Sequence, residues 1–360
     1  MIKDLFARYE SFCEPYLMEK MVQHQDVASA VSRLKEQSVC KCSVAGKSAE
    51  GREIYHLLAG TGTAHVLLWS QMHGNEGTAT RAFFDVLRFL GAEPDEFEPI
   101  RREIMNKLTL HFIPMLNPDG AERWQRENTL GIDLNRDALK LTSPEAQLLD
   151  DLKKSICWSF AFNMHDQSEY YSAGNSHKPS TITLLAPPVD DSGSRPENRI
   201  QAMQMVVLLQ KNLSYLIPGQ VAKWKDDYEA RAFGENFQKT GVPVILVESG
   251  GFPGDQGKIN LRKLNFYLLI EALYAIATHA YLDMDPEEYE KIPLNRENGM
   301  FDRIERNCPC ISNGYSYITD IGYRKTETYD GKNLISTEIT DEKGDLSGFG
   351  SYEECCNFIV

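Results

Sequence analysis

The chain has 360 residues and a net charge of −14, and this negative charge argues against non-specific binding of nucleic acid. Hydrophobic residues make up 42% of the sequence and charged residues 25%, which is typical of a folded globular protein rather than a disordered one. No apolar run reaches the ~18 residues of a membrane span, and the acidic residues near Met1 are not typical of a signal peptide. We therefore expect a cytoplasmic protein without a membrane partner.

Six of the eight cysteines form close pairs in the sequence, namely Cys40 with Cys42, Cys308 with Cys310, and Cys355 with Cys356. None of these pairs has the C-x2-C spacing of a zinc ribbon, so free thiols in a reducing compartment are the expectation. The two carboxy-terminal pairs leave open a small metal or redox site at that end of the chain.

The hydrophobic pattern predicts one or two amphipathic helices in residues 1–36, followed by strands that alternate with helices. The predicted strands are Cys40–Val44, Glu53–Leu58, Val66–Ser70, Leu108–Met115, Trp158–Met164, Thr181–Ala186 and Val242–Val247. The predicted helices are Thr78–Leu90, one that begins at Ser143-Pro144, Glu197–Leu216 and Ile259–Tyr281. The composition of Asn117–Gly120 predicts a turn. Such alternation is typical of an α/β fold with helices on both faces of a central sheet.

From about Arg296 the pattern changes to short segments in which apolar and polar residues alternate. The predicted strands here are Tyr315–Asp320, Tyr323–Tyr329 and Leu334–Thr340, with a hairpin turn at Asp330-Gly331. We therefore predict two domains, a large α/β domain in residues 1–295 and a small β-rich appendage in residues 296–360. A sheet of only three strands needs an apolar surface to pack on. We therefore expect the appendage to rest on the larger domain.

Two potential metal ligands, His73 and Glu76, follow one predicted strand, and a third, His165, follows another. Glu248 comes directly after a third predicted strand. Open α/β sheets bind ligands at the carboxyl ends of their strands, so folding is expected to bring these side chains together. Two imidazoles and one carboxylate can hold zinc and leave one position open, which is typical of a hydrolase and not of a structural site.

The segment between these ligands carries a longer motif. It reads N-P-D-G from Asn117 and then R-x-N-x-x-G-I-D-L-N-R from Arg126 to Arg136. With the H-x-x-E pair before it, and strands that end in a histidine and a glutamate after it, the sequence resembles the zinc carboxypeptidases of the M14 metallocarboxypeptidase family. The resemblance extends from about Val66 to Gly251, and it implies a mixed central sheet.

The resemblance also implies a role for each residue of the metal site. His73, Glu76 and His165 would hold one zinc ion, which is the cofactor expected from this set of ligands. Glu248 would be the general base that takes a proton from water and passes it to the leaving amine. In this interpretation residues 1–295 form the catalytic domain.

Further residues would bind the substrate. Arg126 would stabilise the oxyanion, and Asn135 with Arg136 would hold the terminal carboxylate, which a planar guanidinium matches in geometry. Tyr228 is our candidate for the mobile tyrosine of the family, and Arg231 for a further substrate contact.

The sequence departs from the family pattern at two places. Asn75 stands where well-known members have an arginine directly before the metal-binding glutamate, which puts one substrate contact in doubt. The position of the mobile tyrosine is not fixed by the motif, so Tyr215, Tyr170 and Tyr171 remain rivals of Tyr228.

The implied activity is the hydrolysis of the carboxy-terminal bond of a peptide. The alternatives are a zinc deacylase of N-acyl amino acids, an amidase of peptidoglycan stem peptides, and a non-catalytic binding protein on the same scaffold. The full motif from Asn117 to Arg136 favours a peptidase over a deacylase, and the presence of Glu248 beside three metal ligands argues against a non-catalytic protein. The expected partner is thus a peptide or a small carboxylate-bearing substrate. The preferred side chain and the oligomeric state are not indicated.

Overall fold

The computed structural model describes residues 2–37 and 39–356, and an eight-stranded sheet is its largest element. The strands of the described chain are β1 (Lys41–Lys47), β2 (Glu53–Ala59), β3 (Ala64–Trp69), β4 (Leu108–Ile113), β5 (Trp158–Asp166), β6 (Ser172–Ala173), β7 (Ile182–Leu185), β8 (Val221–Lys223), β9 (Val244–Ser249), β10 (Asn295–Arg296), β11 (Met300–Ser312), β12 (Tyr315–Tyr329), β13 (Leu334–Gly344) and β14 (Gly350–Cys356). The α-helices are α1 (Ile2–Ala7), α2 (His24–Gln37), α3 (Thr78–Leu90), α4 (Glu98–Lys107), α5 (Pro118–Glu122), α6 (Pro144–Ser155), α7 (Glu197–Leu213), α8 (Phe233–Lys239) and α9 (Ile259–Thr278). Short 3-10 helices lie at Tyr9–Ser11, Leu134–Arg136, Ala280–Asp283 and Pro286–Lys291.

The large sheet has the strand order β1-β2-β4-β3-β5-β9-β7-β8. Strands β4, β3, β5 and β9 run parallel to one another in its centre. The pairs β1 with β2, β2 with β4, and β7 with β9 are antiparallel. The predicted α/β class with a mixed central sheet is therefore confirmed.

Two hydrophobic cores lie on opposite faces of the sheet, and strand β3 contributes to both. Val66 and Leu68 belong to the larger core, which includes the buried sides of α3, α7 and α9. Leu67 and Trp69 belong to the smaller core, which includes residues of α6 and α8. Successive residues of a strand point to opposite faces, so a strand segment that is covered on both sides is apolar at successive positions, as Val66–Trp69 is.

Helices α4, α5 and α8 were not predicted from the sequence. The predicted turn at Asn117–Gly120 was wrong, because the structure has Asn117 as the cap of helix α5, where its Oδ1 accepts a hydrogen bond from the Gly120 backbone N–H at 2.9 Å. Residue types that favour turns also favour helix N-termini. Helix α4 was not predicted, since only Ile100 and Ile104 form its buried apolar stripe among many charged residues.

Strands β11 to β14 form a separate four-stranded sheet, which we call the accessory sheet. Its strand order is β13-β12-β11-β14, and β14 pairs with β11 in parallel. The sequence predicted the segments of β12 and β13 but divided β12 into two strands and missed β11 and β14. Phe301, Ile304 and Leu346 form its small buried core.

The accessory sheet contacts the loop that follows β5. The Tyr170 hydroxyl donates a hydrogen bond to Asp302 Oδ2 at 2.6 Å and accepts one from the Lys325 backbone N–H at 2.9 Å. The Tyr352 hydroxyl donates to the backbone carbonyl of Glu169 at 2.6 Å. These contacts place the sheet beside the carboxyl end of β5, while the division into two domains near residue 296 stays a prediction.

None of the helices in residues 2–37 and 39–356 is both long and apolar enough to cross a membrane. The structure has free thiols at Cys13, Cys40, Cys42, Cys157, Cys310, Cys355 and Cys356. Among the described residues, no cluster of three metal-binding side chains includes a carboxy-terminal cysteine.

Candidate functional site

Four of the residues expected from the sequence, His73, Glu76, His165 and Glu248, lie at one edge of the large sheet. Strands β3, β5 and β9 are adjacent and parallel, so their carboxyl ends lie side by side. The loop after β3 carries His73 and Glu76. His165 of β5 is the register partner of Glu248 in β9. The strand order thus brings together residues that lie far apart in the sequence.

His73, Glu76 and His165 form a compact and buried group. The Nδ1 atoms of the two histidines are 3.1 Å apart, and each lies 2.8 Å from one carboxylate oxygen of Glu76. The three residues are between 2% and 7% exposed, and they form the one potential metal cluster among the described residues. Two imidazole nitrogens and a carboxylate that converge in this way fit a zinc ion with one open position.

The ionisation of these groups reflects burial and mutual charge. Burial opposes protonation of His73, but the Glu76 carboxylate and the hydrogen bonds with Asp133 and Glu76 raise the pKa of His73 to about 9. Burial dominates at His165 and lowers its pKa. Burial also disfavours the charged form of Glu76, yet the two histidines hold the pKa of its carboxyl well below the usual range. The pocket thus stabilises a carboxylate that faces positive charge.

Asp133, which was not predicted as a site residue, connects the His73–Glu76–His165 group (called the metal group below) with Arg126. Its Oδ1 lies 3.1 Å from His73 Nε2, and its Oδ2 accepts a hydrogen bond from Arg126 Nε at 3.0 Å. A partner on the second ring nitrogen fixes the orientation of a metal-binding imidazole. The signal was present in the sequence, because Asp133 is the acidic residue of G-I-D-L-N-R.

Arg126 lies against the metal group with its guanidinium partly open to solvent. Its Nη1 is 3.1 Å from His73 Nδ1 and 3.4 Å from Glu76 Oε1, and 42% of the side chain is exposed. The backbone carbonyl of Arg126 accepts hydrogen bonds from Asn117 Nδ2 and from the Gly74 backbone N–H. Helix α5 and its cap therefore hold the segment that positions this arginine.

Glu248 lines the same cavity as the metal group and is partly buried. Burial raises the pKa of its carboxyl well above the usual value, and the nearby negative charge of Glu76 raises it further. A raised pKa makes a carboxylate a stronger base.

Asn135 and Arg136 also line this cavity, from the 3-10 helix Leu134–Arg136. The Oδ1 of Asn135 accepts a hydrogen bond from the Phe233 backbone N–H at 3.0 Å. The side chain of Arg136 is 41% exposed, and its Nε lies 3.5 Å from Glu229 Oε2. Asn135 is thus held by helix α8 and Arg136 by Glu229, and both side chains line the cavity.

The other candidates differ in position. Tyr228 lines the cavity, as do Tyr170 and Tyr171. The Tyr170 hydroxyl is already bound by the accessory sheet, and the ring of Tyr171 packs on Trp224. The guanidinium of Arg231 donates two hydrogen bonds to Glu229 and is largely exposed, so its contact with a substrate stays a prediction.

Comparison with known proteins agrees with this geometry. A sequence model of the family described as zinc carboxypeptidase matches residues 28–210, which is just over half of the chain. The chain belongs to the zinc carboxypeptidase family. Zinc is therefore the metal expected for the His73–Glu76–His165 group.

The relatives found by sequence share only part of their length with this family member. An uncharacterised Zymomonas mobilis protein is 28% identical over 149 residues, which are 41% of this chain and 37% of that protein. Carboxypeptidase 2 of Trichophyton rubrum is 26% identical over 150 residues, which are 39% of this chain and 26% of that protein. The chain thus spans well under half of the length of these two relatives.

Solved structures share the fold of this carboxypeptidase-family chain at low sequence identity. A metallo-carboxypeptidase from Burkholderia cenocepacia has a TM-score of 0.59 at 17% identity and covers 71% of this chain and 69% of its own. A metallo-carboxypeptidase from Pseudomonas aeruginosa, in complex with (2-guanidinoethylmercapto)succinic acid, has a TM-score of 0.55 at 18% identity, with coverages of 71% and 68%. Carboxypeptidase A from Helicoverpa armigera has a TM-score of 0.55 at 17% identity, with coverages of 78% and 80%.

Proposed function

We propose that this protein is a zinc-dependent metallocarboxypeptidase that hydrolyses the carboxy-terminal peptide bond of its substrate. The observation that carries the proposal is the convergence of the buried His73–Glu76–His165 group with Glu248 and Arg136 in one cavity of about 780 Å³. Membership of the zinc carboxypeptidase family supports it.

Zinc held by His73, Glu76 and His165 would act as a Lewis acid that polarises a carbonyl oxygen and lowers the pKa of water. Glu248 takes one proton from the attacking water, whose oxygen bonds to the carbonyl carbon. Glu248 then gives this proton to the nitrogen as the C–N bond breaks. The second proton of the water passes from the new carboxylic acid to the released amine or to solvent, which leaves a carboxylate and a free amino acid. Its raised pKa makes the Glu248 carboxylate a stronger base than an ordinary glutamate.

The cations of the cavity have separate roles in the proposal. Arg126, fixed by Asp133, stabilises the negative charge that develops on the carbonyl oxygen. Arg136 binds the terminal carboxylate of the peptide and Asn135 adds a directed hydrogen bond. Tyr228 contacts the bound substrate from the cavity wall.

Two substitutions test the roles of the metal ligands and of the base. We expect His165→Ala to lose both metal and activity, because only two of the three protein ligands would remain. We expect Glu248→Gln to retain zinc and lose about 10²- to 10⁴-fold in kcat, which is the usual contribution of a general base. Elemental analysis and mass-spectrometric detection of released amino acids measure both effects.

Exposed residues provide the controls. His177→Ala and Glu93→Gln change the same residue types outside the cavity, and both variants should behave as the wild type. The substrate panel should include N-acyl amino acids and peptidoglycan stem peptides beside ordinary peptides. Turnover of N-acyl amino acids alone would identify a deacylase instead, and an unchanged rate in Glu248→Gln would refute the assignment of the base.

A further inference from the structure

Lys258 is a buried lysine at the cavity that the proposed reaction does not use. It directly precedes helix α9, and only 9% of the residue is exposed. Its backbone has a φ of 52°, which is unfavourable for a residue with a Cβ atom. Arg81 of helix α3 holds this turn, because its guanidinium donates hydrogen bonds to the carbonyls of Gly257 at 3.0 Å and of Lys258 at 3.3 Å. The lysine side chain therefore extends from a fixed backbone.

The ammonium group of Lys258 binds Asp166, the residue that follows His165. Its Nζ donates a hydrogen bond to Asp166 Oδ2 at 2.9 Å, and the two side chains are 11% and 6% exposed. The Thr78 hydroxyl donates to the same oxygen at 2.7 Å. Thr78 is the first residue of helix α3, and it follows the loop that carries Glu76. The Asp166 side chain is thus held between the amino-terminal ends of two helices.

The backbone of Asp166 connects this ion pair with the metal group. Its N–H donates a hydrogen bond to Glu76 Oε2 at 3.1 Å, and the same oxygen lies 2.8 Å from His165 Nδ1. The other carboxylate oxygen, Oε1, lies 2.8 Å from His73 Nδ1. Hydrogen bonds to the carboxylate of a metal ligand fix its orientation and support its affinity for the ion. The contacts that begin at Lys258 therefore end on a metal ligand.

We propose that Lys258 is a positioning residue of the metal group, and that it holds Asp166 so that the Asp166 N–H keeps the Glu76 carboxylate in the orientation of a metal ligand. Lys258 acts through Asp166 and does not touch the reacting atoms. The proposal concerns metal binding and does not depend on peptide cleavage.

A double variant, Lys258→Met with Asp166→Asn, tests this role. It leaves no unpaired buried charge and removes one charge of each sign, so the net charge beside the metal group is unchanged. We expect its zinc affinity to fall about 10- to 100-fold, which is usual for the loss of a group that supports a metal ligand. Competition of the metal-free protein with a chromophoric chelator measures the affinity. If the double variant does not fold, Lys258→Gln, a milder change that keeps a polar side chain, replaces it and should also bind zinc more weakly.

A similar ion pair away from the cavity provides the control. Lys153 and Asp150 of helix α6 lie 2.7 Å apart, and their side chains are 10% and 5% exposed. Lys153→Met with Asp150→Asn should keep the zinc affinity of the wild type. Lys258→Arg, which retains the cation, should lose less affinity than the Lys258 double variant. At saturating zinc, the KM of the Lys258 double variant should equal that of the wild type.

The outcomes separate this role from the proposed activity. A zinc affinity equal to that of the control would overturn the role of Lys258, and peptide cleavage by the wild type would then leave the carboxypeptidase function intact. A raised KM with unchanged zinc affinity would also overturn it, since Lys258 would then contact the substrate instead. Weaker zinc binding in the variant, with no cleavage by the wild type, would support the role of Lys258 and refute the activity.

Discussion

Three glutamates of the site differ in their ionisation because their neighbours differ. Glu76 faces two imidazoles, which hold its pKa low despite its burial. Glu248 is next to the negative charge of Glu76, so its pKa is raised by burial and by repulsion. The pKa of Glu235 is raised mainly by burial. The same residue type is thus held as a carboxylate at one position and disfavoured as a carboxylate at the other two.

The raised pKa of Glu235 predicts a pH-dependent effect on stability. A glutamate with an ordinary pKa of 4.5 ionises at that pH in the unfolded chain, whereas Glu235 ionises at about 7 in the folded protein. Between these values the folded state keeps a proton that the unfolded state has lost, so this group lowers the free energy of unfolding as the pH rises. We expect Glu235→Gln to be more stable than the wild type at pH 8 by roughly 2–3 kcal/mol, with little difference at pH 4.

Denaturant unfolding at the two pH values, without substrate, measures this difference. Arg136 and Glu229, the charged neighbours of Glu235, are present in both proteins, so their titration largely cancels. Glu93→Gln is the matched control, because Glu93 is exposed. A stability difference that does not change between pH 4 and pH 8 would contradict the effect of burial.

At the scale of elements, the loop that carries the metal ligands is fixed by contact with helix α5. Gly74 lies against this helix so closely that a Cβ atom would be 2.0 Å from the backbone carbon of Gly120. The Gln71 side chain donates a hydrogen bond to the Gly74 carbonyl at 2.8 Å. The glycine between the two ligands is therefore required by packing, and the N-P-D-G motif supports the metal loop as well as Arg126.

We predict that Gly74→Ala separates the metal loop from helix α5, since the added methyl group has no free space. We expect a loss of about 1–3 kcal/mol in stability, as is typical for overpacking, together with weaker zinc binding. Thermal unfolding and competition with a zinc chelator measure the two effects. Gly348→Ala is the control, because a Cβ atom there meets no atom within 4 Å. Unchanged zinc affinity in Gly74→Ala would show that the loop tolerates the shift.

At the scale of the whole molecule, the accessory sheet takes part in the cavity. Lys325 and Glu327 of β12 line it together with the metal ligands and with Lys20 from the amino-terminal region. Lys20 Nζ and Glu327 Oε2 form an ion pair at 2.5 Å, so two regions that are distant in sequence meet at this wall. The sheet therefore limits the space beside the metal group.

We predict that the double variant Lys20→Ala with Glu327→Ala accepts longer peptides, because the ion pair that narrows the cavity is absent. The ratio of kcat/KM between a six-residue and a two-residue peptide should rise by up to about 5-fold, as expected for a contact worth up to ~1 kcal/mol. Kinetics on peptides of increasing length measure this ratio. The exposed pair of Arg8 and Glu96 provides the matched double-alanine control. A ratio equal to that of the control would exclude the accessory sheet from substrate selection.

Much of the fold and of the metal site followed from local sequence features. Strand β3 is apolar at successive positions because two cores cover it, and this run marked the strand before His73. The short spacing of His73 and Glu76 confines both ligands to one loop, so their proximity needed little tertiary information. His165 lies far from the other two in the sequence, and its position at the end of a strand together with the family resemblance indicated its part in the site.

The sequence alone determined the α/β class and the candidate metal ligands, because both depend on patterns that are local along the chain. Tertiary structure decided what depends on distant contacts. The approach of Asp133 to His73 and the ion pair of Arg136 with Glu229 arise only when the chain folds. The parallel pairing of β14 with β11 joins segments more than forty residues apart. Burial and charge pairing depend on the sum of all neighbours in space, which no local pattern contains.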